Sequence, residues 1–448
     1  MIVMKFGGSS VANAERIRHV AGIIKTFSDK RLAVVLSAMG DTTDDLLDAA
    51  DAALKGTITL DAIEKLHKTT AAELGVNPSE IDSLLAELRT LLTGISMLRE
   101  VTPRSRDYLV SFGERLSVRL MAAYLNTIGV RAQFRDAWDV GFISDSNYTS
   151  ADLLPETWEN IRKILGPYAD GKCGDGMAMP IVTGFIAKDS HGFITTLGRG
   201  GSDLTATILG AALRAEEVQT WKDVDGILTT DPRIVKEART VPVATYDEVA
   251  ELAYFGAQVL HPRSMQPCLQ TGTPVRVKNS YNIDAPGSII VTRHETTPDP
   301  VRAITTKKNV TLIDIVSTRM LGQYGFLARV FDVFAAHSIS VDVVATSEVS
   351  VSLTVDGKKA DFAGLRHDLE KVASIDIKKD KALVTIICDV RRSSEILAST
   401  FDVLAREKIN IQMISQGASK VNISMICESS ESERAVQKLH DCFFGGKN

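Results

Sequence analysis

The sequence predicts an α/β chain: a large, mainly parallel sheet with helices on both faces, followed by two small α+β modules. Three observations carry this reading. The first third alternates short β-rich apolar runs with amphipathic helical stretches. Several of those runs end in glycine-rich polar turns that open a helix. The last third repeats itself: FDVFAAHSISVDVVATSEVSVSL, from Phe331, aligns without a gap on FDVLAREKINIQMISQGASKVNI, from Phe401.

Taken in order, Ile2 to Phe6 reads as a buried strand and Gly7-Gly8-Ser9-Ser10 as a turn. Ile17, Val20, Ala21 and Ile24 then form the apolar stripe of a helix. Leu32 to Leu36 is a second strand, ending in Ser37-Ala38-Met39-Gly40. Residues 43–128 are mostly helical in pattern, with breaks near Gly56, Gly75–Pro78 and Thr102-Pro103. Further strands are expected at Val130–Phe134, Met179–Phe185, Phe193–Leu197, Val218–Trp221, Pro274–Val277 and Ser288–Val291, with helices at Ser202–Leu213 and Tyr246–Tyr254. In such sheets a ligand sits beyond the carboxyl ends of the strands.

The polar, proline-bearing stretch His294–Pro300 reads as a linker. Beyond it, Phe331/Phe401, Ile339/Ile409 and Val351/Val421 share one offset of 70 residues. Each copy has a strand before it (Thr311–Val316; Leu383–Cys388) and a helix after it (Phe362–Ala373; Ser432–Cys442). That makes two βαββα units, too few for a solenoid. The expected domains are residues 1–293, 301–378 and 379–448.

Composition removes whole classes. The chain has 448 residues, 51 Lys+Arg against 56 Asp+Glu, and a net charge of −5. A slightly acidic chain without a basic block is not a nucleic-acid or anionic-membrane binder, although a few placed cations suffice for a triphosphate. No uncharged apolar run approaches transmembrane length, and MIVMKFGG has no basic-then-apolar leader. The expectation is a cytoplasmic enzyme, or an organelle-stroma one if a targeting peptide has been removed. Cys173, Cys268, Cys388, Cys427 and Cys442 are scattered and never CxxC, so they read as reduced thiols. The eight histidines form no metal-ligand spacing, so a transition-metal enzyme is not expected.

Four motifs carry chemistry. In Lys5-Phe6-Gly7-Gly8-Ser9-Ser10, two glycines at a strand end let backbone N–H groups approach a phosphate, and the lysine can reach the same anion. An ordinary tight turn would look the same, and the lysine precedes the glycines, so this is not a Walker A loop. Thr196 to Asp203 (TLGRGGSD) frames one cation, one hydroxyl and one carboxylate with three glycines after an apolar strand, the composition of a ligand loop. Lys222-Asp223-Val224-Asp225-Gly226 with Thr229-Thr230-Asp231-Pro232-Arg233 follows another strand. Phe112-Gly113-Glu114-Arg115 lies early in a helical segment, where a solvated ion pair is the plain alternative.

Together, KFGGSS, LSAMG, FGERLS, TLGRGGSD, WKDVDGI with TTDPR, and AELAYFGAQVLHP resemble the aspartate kinases of the amino-acid-kinase family, in order and approximate spacing, over essentially the whole chain. The wording is most similar to the monofunctional, lysine-sensitive, plant-type enzymes. The resemblance implies a three-layer αβα catalytic domain and two ferredoxin-like ACT modules. It implies transfer of the γ-phosphate of ATP, with Mg²⁺, to the side-chain carboxylate of L-aspartate. That carboxylate is ionised at neutral pH, so no general base is needed.

The resemblance also implies roles. Lys5 would stabilise the transferring phosphoryl group, Gly7 and Gly8 would donate N–H groups to it, and Asp203 would orient Lys5. Arg199 would hold the α-carboxylate of aspartate and Glu114 its ammonium, with Ser37, Thr43 and Ser202 completing that pocket. Lys222, Asp223, Thr229, Arg233 and Gln258 would line the ATP site. Gln258 stands where many bacterial relatives carry lysine, and Lys222 where many carry threonine, so Lys222 or Arg233 is expected to supply the missing charge. In the first ACT module, Met320, Gly325, Phe326, Leu327, Ser340, Val341, Asp342, Thr346, Ser347 and Glu348 match the lysine-effector pattern. Asp342 and Glu348 would take the effector's two ammonium groups. The second copy has Gln412 and Ala418 in their places, so one effector site per chain is expected. ACT modules imply a homodimer or a tetramer, and S-adenosylmethionine or threonine is left open as a second effector. The competing readings are another acyl kinase of the same family and a catalytically inactive lysine sensor.

Overall fold

Ile2–Phe6 is a strand with all five residues buried, at the middle of an eight-stranded sheet. The computed structural model describes residues 1–172, 177–255, 260–293, 299–317, 324–357, 362–417 and 421–445. These fall into two units by contact. One comprises Met1–Ile227, Pro242–Tyr246 and Leu260–His294; the other comprises Leu228–Val241, Asp247–Val259 and Glu295–Asn448.

The sheet of the first unit runs in the order Ala132–Arg135, Met179–Thr183, Leu32–Leu36, Ile2–Phe6, Glu217–Lys222, Val275–Asn279, Ser288–Val291, Val243–Thr245. Its pairings are parallel except for Ser288–Val291 against Val275–Asn279. Ile2–Phe6 and Leu32–Leu36 are buried throughout because helices cover both faces, which is why they read as unbroken apolar runs. Helix starts follow local capping chemistry. Asn13 accepts from the Arg16 amide ahead of helix Ala14–Thr26. Thr102 and Ser105 form a capping box, with Pro103 at the first position of helix Pro103–Thr127.

Some expected elements shift. The run Met179–Phe185 splits, because Phe185 takes a left-handed φ of 67°. Its continuation, Ile186–Asp189, joins Ile143–Ser144 and Ile194–Thr196 in a separate three-stranded sheet. The short strand Val243–Thr245 had no sequence signal of its own.

In the second unit one antiparallel sheet runs Val341–Thr346, Ser350–Asp356, Val301–Val316, Ser374–Cys388, Asn422–Glu428, Met413–Gln416. The two central strands, 16 and 15 residues long, are about two and a half times the expected length and pair along most of their course, with bulges near Lys307 and Val310. Residues 301–307, grouped by sequence with the first module, pair with residues 383–388 of the second. Val301 and Ile304 pack in the apolar cluster of helices Ser393–Arg406 and Ser432–Phe444, while Ile313 and Ile315 pack with helix Phe326–Ala336. Leu228–Val241 and Asp247–Val259 join this unit for the same reason. Val235 packs in the second module's cluster, the Ile304 amide donates to the Thr229 carbonyl, and Phe255 packs against Val310 and Leu383. Most of the expected linker, residues 294–298, lies outside the described residues.

Candidate active site

Parallel register brings several motifs to one edge of the sheet. Phe6 is paired with Leu36 on one side and Trp221 on the other, and Leu36 with Thr183. The turns that follow, starting at Gly7, Ser37, Asp223 and Gly184, therefore leave the carboxyl ends of four adjacent strands. Backbone bonds lock them: the Ser37 amide donates to the Phe6 carbonyl, the Gly40 amide to Gly8, and the Gly184 amide to Leu36. Gly8 must be glycine here, since a Cβ would lie 2.8 Å from the Ala38 carbonyl oxygen and 3.0 Å from that of Gly40. At Gly184 a Cβ would meet Ser202 at 2.6 Å, so its absence lets helix Gly201–Ala212 start against the sheet edge.

These turns enclose a cavity of about 880 Å³, within the range of small-molecule sites. Lys5, Gly8, Ser37, Thr43, Glu114, Arg199, Ser202 and Asp203 all line it. Lys5 Nζ lies 2.8 Å from Asp203 Oδ1, and both side chains are largely buried. The Ser37 hydroxyl donates to the Ser202 hydroxyl at 3.0 Å. Arg199 is exposed at the cavity and makes no hydrogen bond or ion pair among the described residues. Glu114 is buried. Its Oε1 accepts the Ala38 amide at 3.1 Å, while Oε2 has no partner among the described residues. Burial pushes its carboxyl up to about 8, against the pull of the Ala38 amide. The site thus offers an unpaired guanidinium, a buried half-satisfied carboxyl, and an oriented ammonium at a strand end.

The remaining expected residues sit elsewhere. Gly7 precedes the short 3₁₀ turn Gly8–Val11 and accepts the Ser10 amide. Lys222 ends strand Glu217–Lys222, with exposed Asp223 next to it. Burial draws the Lys222 ammonium below the usual lysine range, Asp203 and Asp223 raise it, and Lys5 lowers it further, so Lys222 shares the field of the Lys5–Asp203 pair. Thr229 and Arg233 belong to the second unit. The Thr229 hydroxyl meets His440 Nε2 at 2.9 Å and accepts the Arg239 amide, and Arg233 is clamped on Asp231 with its side chain 86 % exposed. Both groups have partners of their own there, which the motif wording did not anticipate. Gln258 lies outside the described residues.

In the effector pattern, Met320 also lies outside the described residues. Gly325, at φ 81°, caps helix Phe326–Ala336, whose second residue, Leu327, is exposed. Ser340 is exposed and Val341 half-buried at the start of strand Val341–Thr346. Ser347 closes the turn beyond it through its hydroxyl, 2.7 Å from that of Ser350. Asp342 is the second residue of that strand, while Glu348 is exposed in the turn after Thr346. The strand alone puts the Cα atoms of Asp342 and Thr346 roughly 13 Å apart, so the two carboxylates lie toward opposite ends of strand Val341–Thr346.

Sequence reasoning missed Asp107 and Arg106, which also line the cavity. A lone Arg-Asp pair near the start of a helix carries no local signal of its own.

Among the described residues no group of three or more His, Cys, Asp or Glu could hold a metal ion, and no helix is long and apolar enough to cross a membrane. A model of the amino acid kinase family matches residues 1–279, and an ACT domain model matches residues 313–364 and 384–443. The chain is 52 % identical to aspartokinase 1, chloroplastic, of Arabidopsis thaliana, over 99 % of this chain and 80 % of that protein. It is 35 % identical to lysine-sensitive aspartokinase 3 of Escherichia coli, over 99 % of both. Its fold matches the crystal structure of E. coli aspartokinase III in complex with lysine and aspartate with a TM-score of 0.81 at 33 % identity, covering 99 % of each chain.

Proposed function

The chain belongs to the amino acid kinase family, among its aspartokinases, and on that premise we propose how its residues move the γ-phosphate of ATP to the side-chain carboxylate of L-aspartate. The product is 4-phospho-L-aspartate, the first intermediate toward lysine, threonine and methionine. One observation supports the assignment above others: a single cavity gathers the Lys5–Asp203 pair, the unpaired Arg199 guanidinium and the half-satisfied Glu114 carboxyl. Free aspartate carries two carboxylates and one ammonium, and these groups answer that set of charges.

The acceptor carboxylate is ionised near neutral pH, so the barrier comes from bringing an anion to the γ-phosphate rather than from removing a proton. Lys5, held by Asp203, faces the charge that develops on the transferring group. At an effective dielectric near 20, one cation about 4 Å away is worth roughly 4 kcal/mol before desolvation. The N–H groups of Gly7 and Gly8 add donors without reorganising. Arg199 takes the α-carboxylate in a forked contact, and Glu114 takes the ammonium as a carboxylate. Ser37, Thr43 and Ser202 shape the floor. On the nucleotide side, Lys222 and Asp223 flank the same strand ends, and Lys222 replaces the charge that Gln258 lacks. Arg233, expected on the phosphates, is paired with Asp231, and Thr229, expected to line the ATP site, meets His440. Mg²⁺ would enter as part of the MgATP substrate and help neutralise the charge on the triphosphate.

The first ACT module is the lysine sensor, with Asp342 as the carboxylate for one ammonium. Glu348 is the carboxylate for the other, and the fold of the module suits a homodimer that sets two such modules edge to edge. Inhibition then follows from lysine favouring an inactive state. The enzyme acts in an organelle stroma or in cytoplasm. The test is hydroxamate trapping of the acyl phosphate from MgATP and L-aspartate, with and without L-lysine. Hydroxamate suppressed by lysine supports both halves; lysine binding without hydroxamate overturns the catalytic half.

A further inference from the structure

Arg199 has no side-chain partner among the described residues, so its position must come from its loop. That loop is held from two sides. From one side, Asp107, near the start of helix Pro103–Thr127 and 1 % exposed, accepts three donors on one carboxylate. Oδ2 takes the amides of Thr149 at 2.8 Å and Thr196 at 2.9 Å, and Oδ1 takes the Thr196 hydroxyl at 2.8 Å. From the other side, Arg263 donates to the Leu197 carbonyl at 3.2 Å and the Ala151 carbonyl at 3.0 Å, and pairs with Asp152 at 2.5 Å. Both residues therefore tie the same two chain segments, 149–152 and 196–200. The Ala151 amide closes the seam by donating to the Thr196 carbonyl at 2.8 Å.

The seam has features of a constrained site. Thr149 is β-branched yet sits at φ 73°, a conformation that persists only where surroundings enforce it. Gly198 turns at φ 72°, and a Cβ there would crowd Ser150 Oγ at 3.3 Å. Asp107, Thr149, Thr196, Gly198 and Arg199 all line the cavity. Asp107 faces it but is fully engaged by the protein, so it is not free to bind substrate.

We infer that Asp107 and Arg263 are positioning residues for aspartate recognition: a two-sided clamp that holds segment 149–152 against 196–200 and thereby aims Arg199 at the substrate carboxylate. The inference rests on the assignment of Arg199 to the α-carboxylate. A misplacement of about an ångström costs up to roughly a hundredfold in such contacts, so loosening the clamp raises KM for aspartate and spares ATP.

The test is steady-state kinetics on the full chain with Arg263→Ala, Asp107→Asn, Asp107→Ala, Arg199→Ala and the double variant R199A/R263A. R263A raises KM for aspartate roughly tenfold or more, with KM for ATP held within about twofold. D107N stays near the parent, because its Oδ1 can accept both amides while Nδ2 donates to the Thr196 hydroxyl; D107A behaves like R263A. If D107A fails to fold, R263A and D107N carry the comparison. The double variant is no worse than R199A alone, since a clamp acting through Arg199 has nothing left to aim. Equal losses for aspartate and ATP that track the melting temperature, additivity in the double variant, or a D107N as poor as R263A would each overturn the clamp. An unchanged KM for aspartate in R199A would instead overturn the assignment beneath it.

Discussion

Lys307 Nζ lies 2.7 Å from Asp342 Oδ2, while the Tyr254 hydroxyl donates to Oδ1 of the same carboxylate at 3.1 Å. The Asp342 side chain is 7 % exposed, and the Lys307 ammonium lies 5.8 Å from the centre of the Tyr254 ring. The carboxylate assigned to the effector is thus already neutralised by an internal lysine, with an aromatic ring alongside.

An external lysine must displace that internal one, so its apparent affinity is reduced by the fraction of molecules in which Asp342 is free. Lys307→Met removes the competitor. The lysine concentration for half-inhibition should fall roughly fivefold or more, and added lysine should raise the melting temperature of the variant more than that of the parent. Unchanged or weaker inhibition would show that the two ammonium groups do not compete.

Glu114 gives aspartate binding a pH signature. Its carboxyl is pushed up to about 8, so in the empty pocket it is neutral through most of the physiological range. Holding an ammonium requires the carboxylate, and binding near pH 7 must expel a proton. KM for aspartate should fall as pH rises from 6 to 8, by roughly tenfold or more, and level off above. Calorimetry at pH 7 in two buffers of different ionisation enthalpy should register close to one proton released. Glu114→Gln should raise KM for aspartate roughly ten- to hundredfold and flatten the profile. A profile that stays steep in the variant would assign the titration to another group.

Lys222 separates two accounts of the nucleotide site. It shares the field of Lys5 and Asp203, and burial already draws its ammonium down. If it supplies the charge absent at Gln258, Lys222→Met should raise KM for ATP roughly tenfold and leave KM for aspartate nearly unchanged. Normal ATP kinetics in the variant would return the role to Arg233.

The limits of the sequence reading have a physical pattern. The central strands were legible because a sheet buried on both faces forces continuous apolar runs, as in Ile2–Phe6 and Leu32–Leu36. Most of the cavity residues were legible because they sit in or beside glycine-bearing turns whose charges are otherwise unexpected after a buried strand. Asp107 was not, because its donors lie 42 and 89 residues away and its own helix turn looks ordinary. Arg263 follows a recognised motif, yet much of what it holds is backbone, which leaves no trace in residue type, and its one side-chain partner, Asp152, lies 111 residues away. The long strands Val301–Val316 and Ser374–Cys388 defeated the reading differently: the repeat marks where copies align, whereas the sheet exchanges partners across them.

Two buried groups should shape stability in opposite directions. His67 is fully buried, with Nδ1 2.8 Å from the Ile63 carbonyl and Nε2 without a partner among the described residues. Burial lowers its pKa to about 4, so the folded chain keeps it neutral where the unfolded chain, near 6.5, takes a proton. Its contribution is therefore lost as pH falls from about 6.5 to 4, by about 3 kcal/mol in all. Glu114 runs the other way: raised from 4.5 to about 8, it binds its proton more tightly in the folded chain, so stability is lost as pH rises between those values. From 6.5 to 8 Glu114 acts alone, and from 4.5 to 6.5 the two slopes oppose each other. Urea midpoints across pH 4 to 8.5 should separate them. Glu114→Gln should gain on the parent steadily toward pH 8, and His67→Leu should gain on it only below about 6.5. A pH-independent difference for either variant would mean that its parent residue titrates alike in the folded and unfolded chains.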